Sequence, residues 1–210
     1  MMNNKMPATN GFIRKNAVLS GLMVISPVIV CGNTVMNALA FIYAFSAITF
    51  LSVAAGSFVP KKIPYGLRII IYAVLGSLAY IPVKEAAEMF FPGVIERIGI
   101  YFMLIAVNSL ITVQSEVKFY KYKKGKMLVS VMSHILGFDL VMLVVSAIRE
   151  LLAYGTFCGR IVDAEVLISG LGMPFGGFIF LGLICGIYRW IVPGGKADEN
   201  FGGDRDVYNF

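Results

Sequence analysis

Hydrophobic positions along this chain fall into six stretches, roughly 17–32, 34–58, 67–83, 97–115, 127–148 and 173–192. Each is close to the ~20 residues an α-helix needs to cross a hydrocarbon core, and none shows the period-two alternation of a strand. Two of them contain polar or helix-breaking residues at mid-length. Ser26-Pro27 interrupts the first stretch, where Pro removes a backbone donor and pushes the preceding residue away from helical geometry. Asn108-Ser109 interrupts the fourth, inside Leu104 to Ile111. Backbone breaks at bilayer depth survive only where protein or a cavity satisfies the freed groups. The pattern therefore predicts an all-α membrane protein with six transmembrane helices, whose first and fourth helices are interrupted. Three spans plus three, inserted oppositely, is the arrangement of two inverted repeats.

Charge orients this array. Six spans put both termini and the loops after the second and fourth spans on one face, which carries 14 of the 18 Lys and Arg residues. Only Lys84, Arg97, Arg149 and Arg160 fall on the other face. The positive-inside bias predicts cytoplasmic termini in a multi-pass protein of the cell (inner) membrane. The net charge of +6 would suggest nucleic acid in a soluble protein, but here the basic residues are anchors beside anionic headgroups. With a mean hydropathy of +0.80, 58 % apolar and 14 % charged residues, an ordinary soluble domain is excluded. The expected organisation is a polar cytoplasmic head at 1–15, a single six-helix membrane domain at 16–193 and a flexible cytoplasmic tail at 194–210. The first span imitates a signal peptide, with Ala38-Leu39-Ala40 as a cleavage-like site, but its apolar reach is too long and it is expected to be retained.

Candidate chemistry is sparse. Cys31, Cys158 and Cys185 have no paired spacing, so neither a disulfide framework nor a zinc site is indicated. His134 has no metal-binding partner beside it and is expected to be a packed or interfacial residue. Asp139 lies inside the fifth span; an intramembrane carboxylate is costly unless it faces a cavity, a cation or a partner. Two roles stay open for it, an ion or proton path and a hydrogen bond to a neighbouring helix; Asn108 is the second ion-path candidate. Arg149-Glu150, about 15 Å further along the helix, is read as an interfacial ion pair or helix-end anchor. Lys84 and Glu88, spaced i,i+4, predict a solvated helical pair rather than acid–base catalysis. Gly170, Gly172, Gly176 and Gly177 predict close helix packing or a hinge. No Walker loop, dinucleotide fingerprint, catalytic triad or flavin-attachment motif is found, so no catalytic residue is assigned to this chain.

Several blocks resemble one family. Asn16-Ala17-Val18-Leu19, Ile25-Ser26-Pro27-Val28-Ile29-Val30 and Asn37-Ala38 resemble the opening of the E-type membrane component of the Rnf ferredoxin:NAD oxidoreductase and of the D-type component of the sodium-pumping NADH:quinone reductase, Nqr. Val59-Pro60, Ile63-Pro64, Leu67-Arg68-Ile69-Ile70, Phe91-Pro92 and Ile98-Gly99-Ile100-Tyr101 follow in the family's order. The most specific block is Gly137-Phe138 leading to Ala147-Ile148-Arg149-Glu150-Leu151-Leu152, then Gly155-Thr156-Phe157-Cys158-Gly159. The resemblance covers about residues 16–190. It implies a membrane subunit of a complex coupling electron transfer to Na⁺ or H⁺ movement, working with an inversely oriented sister subunit and with flavin held by other subunits. It also implies a [2Fe–2S] cluster shared with that sister, each interrupted helix supplying one thiolate. The matching positions here are Ser26 and Ser109. An alcohol is a harder and far weaker acid than a thiol, so this chain is expected to lack its own cluster ligands. Cys31, five residues after Ser26, is the one nearby thiol. Two further readings stay open: the substrate-binding component of an energy-coupling-factor vitamin transporter, and a structural paralogue that supports assembly.

Overall fold

A computed structural model of the chain describes residues 18–19, 25–60, 62–108, 110–114, 124–162 and 168–191. The expected polar head and flexible tail, and Ser109, lie outside these residues. The described chain runs as α1 (Ile25–Cys31), α2 (Val35–Gly56), α3 (Tyr65–Phe90), α4 (Val94–Ile98), α5 (Ile100–Met103), a 3-10 turn (Leu104–Val107) and a π-turn (Leu110–Gln114). It continues as α6 (Lys124–Tyr154), a two-stranded antiparallel hairpin of β1 (Thr156–Phe157) and β2 (Arg160–Ile161), a 3-10 turn (Ser169–Gly172) and α7 (Pro174–Ile191). Among the described residues α2, α3, α6 and α7 are each long and apolar enough to cross a membrane.

The centre of the fold is α2, against which α3, α6 and the 3-10 turn of the fourth stretch pack. Thr34, in extended conformation at φ −133°, caps α2 by accepting the Asn37 amide N–H at 3.4 Å. No charged residue follows until the helix ends at Gly56. That is why α2 has no polar face and sits inside the bundle. Phe41, Phe45 and Ile48 are fully buried, and the Phe45 ring stacks on Phe138 of α6 with centroids 4.0 Å apart. Lipid tails are as apolar as these side chains, so van der Waals fit rather than water exclusion stabilises this contact in a membrane.

Helix boundaries differ from expectation where local chemistry extends them. α3 continues through Pro82 to Phe90 instead of ending near residue 83. Lys84 and Glu88 support the extra turns, with Nζ 3.2 Å from Oε1, as the i,i+4 spacing predicted. α6 has 31 residues, about 46 Å at 1.5 Å per residue, against a hydrocarbon core of about 30 Å. Its length leaves Arg149 and Glu150 in the helix body instead of at an end.

The interruption expected in the fourth stretch is present, and it is more extensive than one polar pair. Gly99 breaks the chain at φ 60°, ψ −131°, a conformation natural only to glycine. Asn108 then breaks it again, in extended conformation at ψ 158°, between the 3-10 and π turns. α3 approaches this segment so closely at Gly76 that a Cβ there would lie 2.0 Å from the Ala106 carbonyl oxygen. In the first stretch, α1 begins at Ile25 within the described residues, and Pro27 falls in its first turn. Within Ile25–Cys31 its missing N–H leaves no helical bond unmade.

Candidate functional site

Asn108 closes the break it creates. Its Oδ1 accepts the amide N–H groups of Leu110 at 3.0 Å and Ile111 at 3.1 Å. Its Nδ2 donates to the Ile105 carbonyl at 2.9 Å and to Thr49 Oγ1 of α2 at 3.2 Å. The side-chain amide therefore caps the turn on one side, satisfies it on the other, and ties both to the central helix. Both donors and the carbonyl oxygen are occupied, and the residue is buried. As an ion-path candidate Asn108 thus has its ligand oxygen already engaged by the backbone.

Ser26, the other sequence-derived position in an interrupted stretch, is exposed on the first turn of α1. Ser109 lies outside the described residues. The donor chemistry at these positions does not fit a thiolate-held cluster, because both side chains are alcohols. Cys31 is buried at the C-terminal end of α1, and Cys185 is buried in α7. Among the described residues no three His, Cys, Asp or Glu side chains gather as metal ligands.

Asp139 sits at the midpoint of α6 and meets Ser46 at the midpoint of α2. The Ser46 hydroxyl and Asp139 Oδ2 are 2.8 Å apart, next to the Phe45–Phe138 stack. The second carboxyl oxygen, Oδ1, is buried without a hydrogen-bond partner. His134 is buried on the same helix, its Nδ1 2.7 Å from the Ser130 carbonyl, as a packed residue should be.

Arg149 and Glu150 do not form the expected ion pair. Both are fully buried, and they bond to different groups instead of to each other. The Arg149 guanidinium donates to four backbone carbonyls. Two, of Ile29 and of Gly32 (3.0 Å), lie at the end of α1. The others, of Leu171 (3.0 Å) and Met173 (3.3 Å), lie just before α7. The Glu150 carboxylate accepts the Val35 amide N–H at 2.6 Å at the start of α2. It also accepts the Thr156 hydroxyl and the Gly159 amide N–H of the hairpin. Sequence alone carried one signal of this network: a charged dipeptide in an apolar helix, followed by glycines. Those glycines do serve close packing, since a Cβ at Gly177 would meet the Arg149 guanidinium and one at Gly176 the Gly170 carbonyl.

Long apolar helices, a fourth stretch broken at mid-span and a buried charged junction tying helix ends together define an all-α integral membrane protein. The family pattern described as "Rnf-Nqr subunit, membrane protein" matches residues 5–185, and the chain belongs to that family. The chain is 26 % identical over 191 residues to the E component of the Na⁺-translocating ferredoxin:NAD⁺ oxidoreductase complex of Acetobacterium woodii, covering 90 % of this chain and 97 % of that protein. It is 26 % identical to the E component of the ion-translocating oxidoreductase complex of Pasteurella multocida, over 89 % of this chain and 90 % of that one. The D component of the Na⁺-translocating NADH-quinone reductase of Chlamydia trachomatis is also 26 % identical, over 84 % and 87 %. Family membership favours this reading over the vitamin-transporter one.

Proposed function

We propose that this chain is an integral membrane subunit of an Rnf/Nqr-like complex that couples electron transfer to translocation of Na⁺ or H⁺, and that it contributes no cluster ligands of its own. The observation that carries the reading is the mid-span break at Asn108, tied to α2 through Thr49, in a chain of this family. A broken helix is costly in lipid and is kept where a bundle interior or a partner needs non-helical backbone at that depth. Ser26 and Ser109 stand at the family's cluster-ligand positions as the remnants of a lost site. Asp139 is the ion-path candidate.

Six spans in two inverted triplets, with both termini cytoplasmic, complete the proposal. The contact of Lys124 with Phe58 supports it: the ammonium lies 4.1 Å from the ring centroid, joining the loop after α2 to the start of α6 on one face. The partners are other membrane and peripheral subunits, among them an inversely oriented sister; flavin belongs to those partners.

Affinity purification from native membranes, with subunit identification and analysis of iron and acid-labile sulfide, tests this. The expected result is copurification with electron-transfer subunits, and iron that is unchanged by Ser26→Ala or by Cys31→Ala. Purification of the chain without such partners would overturn the complex. Loss of iron on removing Cys31 would overturn the ligand-free reading.

A further inference from the structure

Among the described residues, Asp139 has no counter-charge. Across the contact, α2 contains no Asp, Glu, Lys, Arg or His between Val35 and Gly56, and its one ionisable side chain is Tyr43. On α6 itself, the nearest cations in sequence are Lys126, 13 residues before, and Arg149, 10 residues after. At 1.5 Å per residue these lie about 20 Å and 15 Å away along the axis. Arg149 is committed to four backbone carbonyls. Lys126 and Lys124 stand at the far helix end, and Glu150 adds the wrong sign. His134, five residues from Asp139, has its Nδ1 against the Ser130 carbonyl. Besides α2, the elements with most contact to α6 are the Ser169–Gly172 turn, β1 and α1, which bring no charged side chain, only the thiol of Cys31. α7 meets α6 at Gly177, and its one charged side chain, Arg189, is exposed.

An ionised carboxylate in that setting would leave Oδ1 buried with no donor, at mid-bilayer, where an uncompensated charge is most costly. A metal ion does not resolve this. Cations held by protein oxygens take about six of them, and the pair supplies only the carboxyl group and one hydroxyl. A proton does resolve it. With the proton on Oδ2, the 2.8 Å contact runs from Asp139 to Ser46 Oγ, and Oδ1 becomes an ordinary carbonyl oxygen. The Ser46 hydroxyl hydrogen is then free to turn to the carbonyl four residues back. Ser52 and Ser77 already do this with Ile48 and Ala73.

We propose that Asp139 and Ser46 form a proton-binding site at the middle of the α2–α6 contact, with Asp139 a neutral carboxylic acid in the resting protein. The inference rests on the membrane reading of these helices and deepens the ion-path reading by naming the ion this site takes. Proton binding and release interconvert the carboxylic acid and the carboxylate of Asp139, with no change in oxidation state.

Infrared difference spectroscopy of the purified membrane complex, comparing unmodified protein with Asp139→Asn at neutral pH, tests the proposal. The expected result is a carboxylic C=O stretching band that is lost in Asp139→Asn and shifts in Ser46→Ala. Absence of that band overturns the proposal. A second measurement treats native membranes with dicyclohexylcarbodiimide, which adds across the O–H of a neutral acid and rearranges to an N-acylurea without a leaving group. The expected adduct at Asp139 declines at alkaline pH and is the same in NaCl as in KCl; protection by Na⁺ overturns the proposal in favour of a metal-ion site. Both readouts come from resting protein, so they are independent of subunit composition. A missing band in an intact complex sinks the proton site alone, and a band in a chain that purifies without partners sinks the complex alone.

Discussion

Arg149 and Glu150 are adjacent in the chain but serve helix ends of opposite polarity: Arg149 holds the carbonyls of Ile29 and Gly32 at the end of α1, while Glu150 holds the Val35 N–H at the start of α2. The helix macrodipole explains the division, since carbonyl ends attract cations and amide ends attract anions. In lipid, these terminal groups have no water to turn to. One dipeptide of α6 therefore does for the α1–α2 hairpin what solvent does in a soluble protein. The same two side chains also reach the β-hairpin and the turn before α7, so four parts of the chain converge on them.

Glu150→Gln retains size but gives up the charge that strengthens three accepted bonds. Hydrogen bonds to charged groups net about 1.5–3 kcal/mol, against about 1 for neutral ones. The expected loss is about 1–2 kcal/mol, and Glu150→Ala should lose more. Thermal unfolding of the detergent-solubilised protein measures both, and equal stability of Gln and Ala variants would contradict the cap.

Arg149→Lys is not conservative here. A lysine concentrates its donors on one nitrogen, whereas the guanidinium spans carbonyls on two separate segments. Losing two such bonds costs about 2 kcal/mol, and Arg149→Met, which orphans all four carbonyls, about 3 kcal/mol or more. Limited proteolysis in the loop before α7 should accelerate in both variants, because that loop loses its anchor.

Asn108→Ala removes a cap and an interhelical bond together, while Thr49→Val removes only the interhelical one. The expected losses are about 2–3 kcal/mol for the first and about 1 kcal/mol or less for the second. Denaturation in mixed micelles compares them. Equal losses would mean that the contact with α2, and not the cap, maintains the break.

Gly76→Ala tests the close approach of α3 to the broken segment. The added methyl would lie 2.0 Å from the Ala106 carbonyl oxygen, a backbone atom that cannot rotate aside. The helices must separate there, at an expected cost of about 1–3 kcal/mol for overpacking. Gly66→Ala, which meets nothing within 4 Å, is the control and should leave stability unchanged or slightly raised.

The long helices were legible because their signal is one-dimensional. Twenty apolar residues in a row read the same whatever they pack against, and α2, α6 and α7 lie within a few residues of the expected bounds except at the extended ends of α6. The Lys84–Glu88 pair was legible for a related reason: i,i+4 geometry is fixed once the helix is. The break at Asn108 was visible as polarity at mid-span. Its mechanism was not, because the residue that receives Nδ2, Thr49, lies 59 positions away. Ser46, Thr49 and Ser52 were a missed clue, three hydroxyls at three-residue spacing along a helix without charges. Arg149 and Glu150 were read as paired with each other because nothing local marks where their partners lie. Their partners lie up to 120 positions away.

Sequence by itself determined that this chain belongs in a bilayer, where its long apolar helices run and where the fourth stretch breaks. Those properties follow from transfer of side chains and peptide groups into lipid, one segment at a time. The tertiary structure alone decided which polar groups answer one another: Arg149 with two helix ends, Asn108 with Thr49, Asp139 with Ser46. Hydrogen bonds act over about 3 Å between atoms, so their partners exist only after segments distant in sequence have packed.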